Sequence, residues 1–91
     1  MLKHRWPTAQ AASEVGEHGV RVNCLAPDSI LTERTQRFMP EGQQQLWAAS
    51  FPLGRMGTPE DVALATLFLA SESSSWLTGL TLDVAGGKIM L

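Results

Sequence analysis

Few side chains in this sequence stand where their types and spacing could do chemistry. Glu60 and Asp61 are adjacent carboxylates, a pairing that can serve acid–base work. They follow Thr58-Pro59, however, and acids just inside a helix opened by threonine and proline are explained by the helix dipole. His4 and His18 have no companion at metal-ligand spacing, and His18 suits a helix C-terminus. Cys24 is the one cysteine, and it falls inside an alternating run, as a small core residue would. Asp28, directly after Pro27, reads as an Asx-turn former. Gly86-Gly87 is followed by no helix, so it reads as a turn and not a phosphate cradle. Trp47 and Trp76 read as packing or interface anchors. These residues predict no catalytic group and no metal site.

The composition narrows the rest. With 91 residues there is room for one domain, 1–91, whose core can only be modest. A hydrophobic share of 44% and a charged share of 18% fit a globular chain. The net charge of -2 offers no basic face to nucleic acid. A single cysteine excludes an internal disulfide and fits a reducing compartment. The opening MLKHRW has no apolar run behind it, so no secretory signal is expected. The longest apolar stretch, Val62 to Ala70 with Thr66 inside it, falls far short of the roughly 20 residues of a membrane span. A soluble cytoplasmic chain is the expectation.

The elements that would position a site can be read from pattern and punctuation. Residues 7–18 read as a helix opened by Pro7 and stopped by Gly19. Residues 20–26 alternate as a strand that Pro27 ends. Residues 28–57 form a polar, lid-like excursion, with short helices near Thr32 to Arg34 and from Glu41 to Ala49, then the turn-rich FPLGRMG. Residues 58–70 are a second strong helix, apolar on most of its circumference and so expected to be buried on more than one side. Residues 80–84 alternate as a second strand. The order is helix, strand, helical excursion, helix, strand. That predicts an α/β fold, a partial Rossmann-type unit with a parallel strand pair. The excursion leaves from the carboxyl end of a strand, where open parallel sheets bind ligands.

Three stretches then become recognisable. EVGEHGVRVNCLAPDSILT, PLGRMGTPEDVALATLFLAS and WLTGLTLDVAGG resemble, in that order, the carboxyl-terminal third of the short-chain dehydrogenase/reductase family. The likeness runs from about Ala12 to Gly87. It implies part of a Rossmann-type fold that uses NAD or NADP for hydride transfer between carbonyl and alcohol. It also implies cofactor-binding positions: Pro27 shapes the turn after the strand, while the backbone at Ile30 and the hydroxyl of Thr32 hold the nicotinamide carboxamide. By the same resemblance the excursion is a substrate lid, and the last helix and strand form a two-fold subunit interface.

The family's catalytic tyrosine, lysine and serine do not carry over. The chain has no tyrosine. Counting back from Gly19 at the family spacing puts the lysine at Met1 and the tyrosine before it; Lys3 is out of register. The glycine-rich pyrophosphate turn is absent as well. Two positions depart from the pattern. Asp28 replaces the family glycine, adding bulk and an anion. Pro7 stands where the family helix continues, and reads as a new helix start. The expectation is the carboxyl-terminal part of an NAD(P)-dependent oxidoreductase, inactive as this chain alone and not binding NAD or NADP by itself. The alternative is a non-catalytic self-association or interaction module from the same family. Uncovered strand edges and apolar faces predict a homo-oligomer, a dimer through 59–70 and 80–84, or docking on an intact family relative.

Overall fold

A computed structural model describes the backbone of residues 2–87 and the side chains of residues 7–87. Met1, where the family spacing puts the lysine, and the side chains of Lys3 and His4 lie outside those ranges. The elements are α1 (Leu2–Val15), β1 (Cys24–Pro27), α2 (Glu33–Phe38), α3 (Glu41–Ala49), α4 (Pro59–Ala70) and β2 (Thr81–Val84).

Pro7 lies inside α1 and does not start it. Proline's fixed φ is itself helical, so its penalty inside a helix is a lost hydrogen bond and a steric clash with the preceding turn. After a 3-10 turn at Gly16–His18, Gly19 ends the helix at φ 73, its N–H bonded to Gly16 O at 3.0 Å. That left-handed angle is open to glycine at little cost.

β1 and β2 pair in parallel, with Cys24 opposite Thr81 and Pro27 opposite Val84. The ladder proper begins at Cys24, later than the strand expected from residue 20. Upstream, Gly79 N–H still donates to Val22 O at 2.7 Å, and side chains supply the other bonds. Asn23 Nδ2 donates to Leu77 O at 3.1 Å, Asn23 Oδ1 accepts from Leu80 N–H at 3.2 Å, and Thr78 Oγ1 accepts from Val22 N–H at 3.1 Å. Asparagine and threonine compete locally for backbone partners in this way, and here they replace ladder bonds.

α4 opens on a complete capping box. Thr58 Oγ1 accepts from Asp61 N–H, while the Asp61 carboxylate accepts from Thr58 N–H. The helix packs on both strands, and α1 packs on β2. Burial of α4 on more than one side is not what the structure shows: Leu64 is 56% exposed and Leu67 65%. The sheet has two strands, so no further layer covers the outer stripe of the helix. The buried apolar side chains among the described residues are Ala12, Phe51, Met56 and Ala85. Two of them, Phe51 and Met56, come from the connector between α3 and α4, which Leu53 N–H ties to Gly86 O at 3.1 Å. The connector is thereby held against the strand ends.

Candidate functional site at the strand ends

Parallel pairing brings the carboxyl ends of β1 and β2 side by side, and Asp28 N–H extends the pairing by one bond to Val84 O at 3.1 Å. Between these ends and the connector lies a cleft of ≈ 280 Å³, walled in part by Asp28, Phe51, Arg55, Asp61, Asp83 and Gly86. This is the end of a parallel sheet at which ligands bind.

The chain leaves β1 through an unusual conformation. Ser29 has φ 54, a left-handed angle that costs a non-glycine residue roughly 1–2 kcal/mol. Its neighbours hold it there. Ser29 Oγ donates to Asp28 Oδ1 at 3.2 Å and accepts from Trp47 Nε1 at 2.9 Å, while Ser29 O accepts from Gly57 N–H at 3.2 Å. Leu31 N–H then donates to Gly57 O at 2.7 Å, completing an isolated parallel bridge between Ile30 and Gly57. Glycine at 57 leaves room for this approach: a Cβ there would stand 2.7 Å from Ile30 Cδ1, and the end of that side chain would have to move.

In such a bridge the bonds run through residues 29 and 31, so the N–H and C=O of Ile30 face the other way. Ile30's own N–H and C=O enter none of the hydrogen bonds of the described residues. An adjacent donor and acceptor of this kind can pair with the acceptor and donor of a primary carboxamide. Thr32 lies on the same segment, exposed, and caps α2: its Oγ1 accepts from Thr35 N–H at 3.2 Å and pairs with Thr35 Oγ1 at 3.0 Å. Pro27 is the last paired residue of β1 and is exposed.

Across the cleft Arg55 reaches Asp61 with two bonds, 2.7 Å to Oδ2 and 3.1 Å to Oδ1. Those bonds, with the Thr58 N–H next in weight, hold the Asp61 carboxyl well below the usual carboxylate range. The same pairing raises Arg55 further. A second hollow of ≈ 310 Å³ lies under α3, bounded by Leu31, Gln44, Ala48 and Met56 among others.

Pro27, Ile30 and Thr32 therefore share one short segment, but none of the three walls the ≈ 280 Å³ cleft, where Asp28 stands instead. Asp28 shows its carboxylate engaged with the Ser29 hydroxyl. Sequence reasoning passed over Ser29, whose left-handed backbone has no signature in a serine. It read Trp47 as an anchor without its partner and Asp61 as a first-turn acid without Arg55. Only the neighbouring GRMGTPED stretch hinted that an arginine and a cap lay close together. Among the described residues no three His, Cys, Asp or Glu gather as a metal site, and no helix is long and apolar enough to cross a membrane.

Comparison with known proteins fits this geometry. Residues 7–88 match the family model described as Enoyl-(Acyl carrier protein) reductase. The mouse (3R)-3-hydroxyacyl-CoA dehydrogenase is 48% identical over 83 residues, 91% of this chain and 32% of that protein. The 3-oxoacyl-[acyl-carrier-protein] reductase FabG of Chlamydia pneumoniae is 50% identical over 80 residues, 88% of this chain and 32% of that protein. The chain thus spans about a third of the length of the curated relatives it matches. Among solved structures, ElxO with NADP bound superposes with a TM-score of 0.83 at 32% identity, over 92% of this chain and 35% of that one. A hydroxysteroid dehydrogenase from Escherichia coli gives 0.83 at 35% identity, over 94% and 36%. The chain belongs to the short-chain dehydrogenase/reductase family, and it corresponds to that family's carboxyl-terminal portion. It is α/β, a partial Rossmann-type unit with one parallel strand pair.

Proposed function

We propose that residues 27–32 are the nicotinamide-facing wall of an NAD(P)-dependent oxidoreductase acting on carbonyl and alcohol groups, and that this chain alone does not catalyse the reaction. The observation that carries the reading is the unengaged N–H and C=O of Ile30 at the carboxyl end of β1. Pro27 sets the exit from the strand, Ile30 supplies the carboxamide's donor and acceptor, and the Thr32 hydroxyl is the third contact. A bound nicotinamide coenzyme supplies the hydride chemistry, and proton transfer needs an acid–base group within hydrogen-bond reach. The 91 residues contain no tyrosine, so the chain by itself does not supply the family's tyrosine for that step.

Titration tests both halves. With NADH or NADPH at micromolar concentration the purified chain shows no binding and no turnover of ketones or alcohols. At millimolar nicotinamide mononucleotide the backbone amide shifts concentrate at Ile30 to Thr32. Turnover by the pure chain overturns the claim of inactivity; shifts that avoid residues 30–32 overturn the placement of the wall.

A second reading is favoured by the outer face of α4, where Leu64, Leu67 and Phe68 are exposed. The chain then acts as a self-association module, pairing through 59–70 and 80–84 with a second copy or with an intact relative. Light scattering at tens of micromolar gives a dimer mass on this reading, and a monomer mass removes it.

A further inference from the structure

α3 has no buried residue, so apolar burial does not anchor the lid helix. Gln44 Nε2 donates to Met39 O at 2.7 Å and to Gln36 O at 3.4 Å, bonds that hold α3 to α2 and the turn between them. The Trp47 indole does something different. It reaches across the fold to Ser29, one position past the strand-end Asp28. The Ser29 hydroxyl donates to Asp28 Oδ1, which turns an oxygen lone pair toward the indole N–H. Asp28, at the position where the family pattern has glycine, is thereby the residue that orients the acceptor. Ser29 in turn sits at φ 54 and passes its carbonyl to Gly57 N–H, whose own carbonyl takes Leu31 N–H. A continuous set of bonds joins α3 to the backbone on either side of Ile30.

We propose that Trp47 is a positioning residue that latches α3 onto the strand-end turn, with Asp28 and Ser29 as the catch, so that the lid and residues 29–32 order and open as one unit. The inference rests on the proposed function only in calling residues 30–32 nicotinamide-facing, and its test contains no coenzyme. Failure here therefore leaves the coenzyme reading to its own titration.

The experiment is solution NMR on the full chain. Its three tryptophans give three indole N–H resonances, and the one lost in Trp47→Phe is that of Trp47. In Ser29→Ala this resonance moves and its exchange with water speeds up. Amide exchange at Leu31 and Gly57 rises about fivefold, the factor expected for one lost hydrogen bond. Exchange at Cys24 and Asp28, which bond to the carbonyls of Leu80 and Val84, stays within about twofold. Trp47→Phe keeps an aromatic ring while removing the donor, and reproduces the same pattern at Leu31 and Gly57. An unmoved indole resonance in Ser29→Ala overturns the latch, and so does unchanged exchange at Leu31 and Gly57 in both variants. Loss of protection throughout both variants, Cys24 included, overturns it too, because the effect is then not local.

Discussion

The Asp61 carboxylate accepts from both Arg55 nitrogens and from the N–H and hydroxyl of Thr58, all within 3.1 Å. Each of these bonds favours the ionised form, so its folded pKa lies below the unfolded one. The stabilisation is complete above the unfolded value of about 4 and is lost as pH falls toward the folded one. The melting temperature of the native chain accordingly drops more steeply between pH about 4 and 2 than that of Asp61→Asn, which has no such group to protonate; equal slopes count against it. Thr81 presents the opposite case. Its Oγ1 is buried without a hydrogen-bond partner, a desolvation cost with no return. Thr81→Val, which removes the hydroxyl at nearly constant shape, raises stability by about 1 kcal/mol in urea unfolding.

Between elements, the critical approach is that of the β1 exit to the connector. Gly57 and Ile30 meet so closely that an added methyl collides with Ile30 Cδ1. Gly57→Ala therefore pushes aside Ile30 Cδ1, the far end of a flexible side chain, at a cost of about 0.5–1 kcal/mol. Ile30→Val deletes the colliding carbon and by itself costs about 1 kcal/mol, so the double variant loses less than the sum of the two single losses. Additive losses in denaturant melts would show that the collision is not the cause. The same bridge turns the N–H and C=O of Ile30 away from Gly57. Arg21 serves the other end of the sheet: its guanidinium donates to Ser74 Oγ and to the carbonyls of Leu77 and Ser71, closing the turn after α4.

Taken entire, the chain is too open for its mass. It exposes 6708 Å², whereas a compact monomer of 9.9 kDa exposes about 5,200 Å². Its radius of gyration of 15.6 Å likewise exceeds the ~12 Å of a compact fold of this length. The excess of about 1,500 Å² is more than the ~800 Å² each partner gives to a standard interface. A two-stranded sheet also leaves edges that invite pairing. These quantities sharpen the self-association reading: Leu67→Glu, placed on the open stripe of α4, turns the expected dimer into a monomer by light scattering. If the wild-type chain is already monomeric, the exposed stripe has no copy of itself to cover.

The order of elements and the parallel pairing were legible in the sequence, because alternation, helix caps and punctuation by Pro27 and Gly19 act over a few neighbouring residues; the family likeness was legible separately, as a resemblance carried by three motif stretches in order. Other features were decided only by tertiary structure. Whether Val22 N–H meets a ladder carbonyl or the Thr78 hydroxyl depends on what lies alongside. Whether Pro7 begins a helix or interrupts one depends on the backbone before it. The left-handed turn at Ser29 exists because Trp47, Gly57 and Asp28 converge on it, and bonds between residues far apart in the chain leave no periodic trace along it.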